Sequence, residues 1–212
     1  VGTMPDASPG DYRFVDTNGD GSYSGDDDTY VGNPNPDFIY GLTNTMSVGN
    51  FNIRLFLQGT YGNDILMLTK NELAGGTNLW REDRENRWTQ DNPRTGPDVT
   101  GSANSGPRYG QDVIGPVGRQ GYPNLVNTDN VYDGSFLRVK NLRIAYTLPQ
   151  SLTGFRKTQI YVSGTNLLTF TDYPGYDPEV NAATGSNTVK GVDRFPYPAE
   201  RLFRIGVNLG LQ

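Results

Sequence analysis

The sequence predicts an all-β fold: about five C-terminal strands of a large antiparallel transmembrane β-barrel with long extracellular loops. Three observations predict it. The closing stretch, Arg201 to Gln212, puts Phe203, Ile205, Val207, Leu209 and Leu211 on one face. Its other face carries Leu202, Arg204, Gly206, Asn208, Gly210 and Gln212, because strand side chains alternate with period two. Two similar runs flank the turn Gly49-Asn50, each 11 residues long. That length suits a tilted membrane strand better than the five or six residues usual in soluble sheets. Long and short connections alternate between the strands, as they do when a barrel has an outer and an inner rim.

Composition agrees. Of 212 residues 27 are Gly, 14 Pro and 13 Tyr, while hydrophobic residues make up only 34%. Few aliphatics with many Tyr, Gly and Asn suit half-polar strands with aromatic girdles. The alternating segments argue against disorder. There is no Cys and no His, which excludes disulfides, Cys/His zinc sites and His- or Cys-dependent catalysis. A net charge of −5 offers no basic footprint, so no nucleic acid partner is expected. No apolar run is long enough for a transmembrane helix, and no signal peptide is readable. The chain starts at Val1 and ends on a strand; both features, with too few strands to close a barrel, lead us to expect a piece of a longer polypeptide.

Residues 1–37 are expected to form an extracellular loop with a calcium-type DxNxDG motif. Asp16, Asn18 and Asp20 stand at ligand positions one, three and five, Gly21 at the sharp turn, the Ser22 carbonyl at seven and Asp27 at twelve, a spacing of hard oxygens that suits Ca²⁺. The alternative is an Asx-rich turn without metal. Residues 38–62 read as a β-hairpin: Phe38, Tyr40, Leu42, Met46 and Val48 share one face, which Asn44 interrupts, and on the return strand Phe51, Ile53, Leu55, Leu57 and Tyr61 face one way. Residues 63–134 read as a long extracellular loop with a short helix from Ala74 to Gln90. Trp80, Trp88, Tyr109 and Tyr122 mark it as a candidate binding surface, with self-packing as the alternative.

Residues 135–212 supply the last three strands, with an extracellular loop over 171–198. Within Phe136–Leu148, Leu137 and Val139 are out of phase with Leu142, Ile144 and Tyr146, which predicts either a bulge at Lys140-Asn141 or a first turn of the strand that lies beyond the bilayer. If Gln212 lies at the inner rim, both long loops and the DxNxDG loop fall outside, and the turns at 49–50 and 149–157 fall inside.

Five phrases then form a resemblance: GDYRFVDTNGDG (10–21), YVGNPNPDFIYGLTNTMSVGNFNIRLFLQG (30–59), SFLRVKNLRIAYTLP (135–149), YVSGTNLLTFTDYPGYDPEV (161–180) and YPAERLFRIGVNLGL (197–211). WREDRENRWTQDNP (80–93) adds a sixth. In this order and spacing they resemble the C-terminal end of the SusC/RagA family of TonB-dependent outer-membrane transporters. The resemblance implies a barrel of about 22 strands with a plug, placed in the bacterial outer membrane against lipid. It implies a SusD-like surface lipoprotein as partner, TonB engaged through an N-terminal part absent here, and a glycan or peptide substrate. The family commonly ends in an aromatic residue; the sequence here reads Leu211-Gln212, so either residues beyond Gln212 supply the aromatic or Leu211 stands in for it.

On this reading Ile53, Leu55, Leu57, Ile144, Tyr146, Phe203, Ile205, Val207 and Leu209 face lipid. Arg54, Gln58, Arg143, Arg204 and Asn208 face the lumen and meet substrate or plug. Ca²⁺ would brace an outer loop. A secreted, calcium-binding β-sandwich that binds carbohydrate as an adhesin module is the alternative. An enzyme is not expected: Asp172, Asp177 and Glu179 resemble glycosidase carboxylates only by type, and Asp-Pro-Glu reads as exposed loop.

Overall fold

A computed structural model describes residues 15–22, 24–69, 81, 126, 128, 130–180 and 190–210. In chain order its strands are β1 (Phe38–Val48), β2 (Phe51–Tyr61), β3 (Asp64–Met67), β4 (Val131–Asp133), β5 (Phe136–Leu148), β6 (Lys157–Thr171), β7 (Val192–Asp193) and β8 (Leu202–Gly210). One helical turn, α1 (Gln150–Thr153), lies between β5 and β6. The chain divides into two units, one of residues 36–63, 134–179 and 197–212, the other of 1–35, 64–133 and 180–196.

The first unit is a single antiparallel sheet in the order β1-β2-β5-β6-β8. Each of these strands pairs with the one before it in the series, so the sheet is an up-and-down meander. The connections at 49–50 and 149–156 leave one end, and the two long connections leave the other. The expected strand set and its alternation of rims are both observed.

Register places directly paired residues on one face. Met46, Ile53, Ile144, Val162 and Ile205 form one row across the sheet. Val48, Phe51, Tyr146, Ile160 and Val207 form the next. Leu55, Leu142 and Phe203 lie in a third row, so seven of the nine residues expected on the apolar face fall in these rows, and Leu57 and Leu209 join them by the alternation of β2 and β8. That face is bare: Ile205 is 81% exposed and Phe203 70%. A sandwich would bury it, and each such side chain left in water forgoes about 1.5–3 kcal/mol. The sheet is built to meet an apolar medium on one side.

The bulge is present. Register between β2 and β5 slips by one residue, with Phe56 opposite Asn141 and Leu57 opposite Val139. Lys140 is the extra residue. It returns Leu137 and Val139 to the apolar face and turns Arg138 to the polar one. Between β5 and β6 the register shifts at the same place, where Asn166 takes a left-handed φ of 53°.

On the apolar face Tyr40 lies across Gly59, and its hydroxyl donates 2.8 Å to the Phe136 carbonyl two strands away. A Cβ on Gly59 would overlap both the Tyr40 hydroxyl and that carbonyl. Gly59→Ala is therefore expected to destabilise the full-length protein by about 1–3 kcal/mol, the usual cost of overpacking. Urea unfolding of a Gly59→Ala variant beside Gly49→Ala tests this; the Gly49 position is sterically open but has φ 56°, so only strain acts there. Equal or smaller loss at Gly59 would contradict the packing argument.

The second unit holds a three-stranded sheet in the order β4-β3-β7. β3 pairs antiparallel with β4 and parallel with β7. Ile65, Met67 and Leu68 are its buried core. Thr69 Oγ1 donates 2.7 Å to Asp193 Oδ1 and accepts from the Phe195 N–H. These strands lie within stretches read from sequence as loops; strands of two to four residues carry too little alternation to be seen. Of the expected helix from Ala74 to Gln90 only Arg81 is among the described residues, and it is helical.

Candidate functional site

The polar face of the five-stranded sheet gathers the expected lumen residues. Thr45, Arg54, Arg143, Ser163 and Arg204 fall in one row. Arg54 and Arg143 are direct cross-strand partners, a like-charge pairing that is unfavourable unless an anion or water intervenes. Arg143 is held in place: its guanidinium lies 4.3 Å from the centre of the Tyr161 ring and Nη2 donates 3.0 Å to Gln159 Oε1. Tyr161 can lie flat because its partner is Gly206, where a Cβ would stand 2.5 Å from Cζ of the ring. Asn208 pairs with Gln159 at the next polar position. Among the described residues Arg54 and Arg204 make no ion pair.

Nearer the end from which the long connections leave, Gln58, Arg138 and Thr169 form another row of the same face. Arg138 is 3% exposed. Its Nη2 donates 2.5 Å to Asp177 Oδ1, its Nη1 donates to Glu179 Oε2, and its Nε donates 2.9 Å to Thr169 Oγ1. Glu179 also accepts from Lys140 Nζ at 3.0 Å and from Gln58 Nε2 at 3.1 Å. Both Asp177 oxygens are engaged, because Oδ1 also accepts the Glu179 N–H and Oδ2 the Ala199 N–H, both at 2.9 Å. The turn Asp177-Pro178-Glu179 is thus clamped onto the strand wall.

This corrects the reading of Asp-Pro-Glu as exposed loop, for Asp177 is only 6% exposed. Sequence reasoning named Gln58 but missed Arg138. Strict alternation puts Arg138 on the apolar face with Leu142, and an arginine there is costly. That conflict was the available signal that a bulge must rotate it. Asp177 and Glu179 are both paired with Arg138.

Burial pushes the Asp177 carboxyl up, but the Arg138 hydrogen bond, the Ala199 and Glu179 N–H groups and the Arg138 charge outweigh it and hold the carboxyl below its usual range. A depressed folded value means the unfolded state binds the proton more tightly. The associated stability is complete above the ordinary carboxylate value and falls as pH drops through the lower folded value. Acid below about pH 4 should therefore release this turn. Limited proteolysis across a pH 6 to 3 series should show cleavage near 172–180 rising at the acid end, and no rise in Asp177→Asn.

The DxNxDG turn lies in the other unit. Asp16 accepts the Gly19 and Gly21 N–H groups at 2.6 and 2.9 Å, Asn18 Oδ1 accepts that of Asp20, and Asp20 Oδ1 accepts that of Ser22. Gly21 has φ 86°, as the sharp turn requires. Asp27 is 1% exposed. Its oxygens accept the Ser24, Thr17 and Asn18 N–H groups. The Ser24 hydrogen bond and then the other two hold its carboxyl below the usual range against burial. Among the described residues no three acidic side chains are gathered to hold a metal ion. Trp80, Trp88, Tyr109 and Tyr122 lie outside the described residues.

No family model matches the chain. The TonB-dependent receptor P3 of Formosa agariphila is 38% identical over 96% of this chain and 19% of its own length. The TonB-dependent receptor P26 of the same organism is 33% identical over 94% of the chain and 19% of its own length. The TonB-dependent receptor SusC of Bacteroides thetaiotaomicron is 24% identical over 95% of the chain and 18% of its own length. The fold matches a solved structure of the RagAB peptide importer in the 'open-open' state with a TM-score of 0.64 at 24% identity, covering 94% of this chain and 20% of that one. The 'closed-closed' state gives a TM-score of 0.62 at 22% identity, over 93% and 20%. The chain spans about a fifth of the length of the relatives it matches.

Proposed function

Because the chain belongs to the SusC/RagA family of TonB-dependent receptors, we propose that it forms the last five strands and outer loops of a bacterial outer-membrane barrel that imports glycans or peptides. The observation that carries this reading is the two-faced sheet. One face carries apolar side chains on all five strands, interrupted by Asn44 on β1, and the other presents Arg54, Arg143 and Arg204 in one row. The apolar face meets lipid, and the polar face lines the lumen, where Arg54, Gln58, Arg143, Arg204 and Asn208 meet plug or substrate. Residues 1–37, 63–134 and 171–198 lie outside the cell, where a SusD-like lipoprotein would cover them. Trp80, Trp88, Tyr109 and Tyr122 would offer it or the substrate a surface. TonB would act through the rest of the polypeptide. The test is growth on, or uptake of, a panel of oligosaccharides and oligopeptides by cells carrying the full-length receptor, with and without TonB and the neighbouring lipoprotein. Uptake that persists without TonB would defeat the proposal.

We also propose that Asp16, Asn18, Asp20, the Ser22 carbonyl and Asp27 hold Ca²⁺ as a structural ion. The residue spacing and the Gly21 backbone support this. Binding would exchange some of Asp27's backbone hydrogen bonds for the cation. Titration of the full-length receptor with Ca²⁺ by calorimetry should show one site, lost in Asp16→Ala and raising the melting temperature of wild type by mass action. An unchanged binding isotherm in Asp16→Ala would place the ion elsewhere.

A further inference from the structure

The charge on the five-stranded sheet has one sign. Its strands carry Arg54, Arg138, Lys140, Arg143, Lys157 and Arg204 and not one Asp or Glu, although the whole chain holds 23 acidic residues against 18 basic ones. Asp177 and Glu179 reach the sheet from a loop and pair with Arg138 and Lys140. The row of Arg54, Arg143 and Arg204 lies further from that loop, four residues along β2 from Gln58, or about 13 Å at the rise of a strand. Among the described residues none of these three arginines makes an ion pair. Arg54 sits directly opposite Arg143, and Arg204 lies two strands beyond β5 with Ser163 between. At strand spacing the three positions are therefore about 5 and 10 Å apart. Arg143 is fixed in place by the Tyr161 ring and Gln159, and a guanidinium cannot shed its proton to relieve the repulsion. What remains is an anion.

We propose that the Arg54, Arg143 and Arg204 row is an anion track that selects substrates bearing two or more acidic groups about 5 to 10 Å apart. One acidic group would sit between Arg54 and Arg143 and the next at Arg204. Guanidinium groups suit this task, because their planar fork takes a carboxylate or sulfate through two bonds at once. A wall of one sign concentrates counter-ions and guides them, and rings of Arg and Lys do the same in anion pores. A single fixed counter-ion would need only one arginine, whereas three spread over four strands match a chain-like ligand. Two sources carry that chemistry, an acidic oligosaccharide and an acidic peptide. The track rests on the reading of the polar face as the wall of an importing lumen.

Calorimetry on the full-length receptor in detergent would compare tetragalacturonate with maltotetraose, and tetra-aspartate with tetra-asparagine. Wild type should bind the acidic member of at least one pair about tenfold more tightly, the size of a hydrogen bond to a charged group, and the margin should shrink as salt rises. Preference in the sugar pair alone identifies the acidic oligosaccharide, and in the peptide pair alone the acidic peptide. Arg54→Gln and Arg204→Gln should each erode the preference, and the double variant should abolish it with the heat-modifiable migration of the folded barrel unchanged. The control is Arg201→Gln, an exposed arginine outside the row that borders an open cleft with Asn166 and Tyr176; it should keep the preference. Equal binding within both pairs in wild type, or a preference that survives the double substitution, would overturn the track. A double variant that no longer folds would assign the row to an acidic segment of the rest of the polypeptide, and overturn it as well. Anion preference without TonB-dependent uptake would defeat the import reading alone, and TonB-dependent uptake without preference the track alone.

Discussion

Arg138→Ala should destabilise the full-length receptor by about 3–5 kcal/mol, the cost of breaking a buried ion pair from one side. The side chains of Arg138 and Asp177 are 3% and 8% exposed, so solvent cannot stand in for the lost guanidinium. Asp177 would keep its two backbone N–H donors but lose its counter-charge. Glu179, at 27% exposed and still within reach of Lys140, would suffer less. The loss should therefore be local before it is global. Proteolysis near residues 172–180 should increase at denaturant concentrations where the barrel is still folded, and urea unfolding should shift afterwards. Replacing both partners, as in Arg138→Met with Asp177→Leu, should recover most of the stability, since an apolar pair of similar volume removes the desolvation cost. A single variant as stable as wild type, with its loop still protected, would show that the clamp contributes nothing.

Ile205→Lys should cost about 2–4 kcal/mol if its row faces the middle of a bilayer, while the same charge on the lumen side should be tolerated. Ile205 lies in the row Met46, Ile53, Ile144, Val162, Ile205. Asn208, on the other face and exposed, is the control: Asn208→Lys should stay within about 0.5 kcal/mol. Folding of the full-length receptor into vesicles, followed by the heat-modifiable gel shift over a urea series, measures both. Loss at Asn208 with none at Ile205 would reverse the assignment of the faces. Equal tolerance at both would mean that neither face meets lipid, and the barrel reading of this sheet would fall.

The strands could be read from the chain because alternation over eleven or more residues is long enough to stand clear of chance. β1, β2 and β5 begin and end where the residue pattern places them. The turn at Gly49-Asn50 sets the first register by itself, since a two-residue hairpin leaves no freedom to slip. Arg54, Arg143 and Arg204 could be assigned a face one strand at a time. That they share a row could not, because the row depends on the lengths of two long connections and on the slip at Lys140. The short strands β3, β4 and β7 were hidden for the opposite reason, as each has only two to four residues and pairs with segments far away in the chain.

The amino-acid sequence by itself determined that this chain makes long half-apolar strands and, away from the slip at Lys140, which face each side chain takes. Those are local properties, dictated by period-two sterics and by Gly and Asn at the turn. Only the tertiary structure decided that Arg138 turns inward and meets Asp177 and Glu179, that Tyr161 lies over Gly206 beneath Arg143, and that Arg201, Asn166 and Tyr176 border one cleft. Those arrangements join residues 10 to 45 positions apart, through pairing registers and one inserted residue. Contacts of that kind are set by the competition among all strand pairings at once, and no window of sequence contains them.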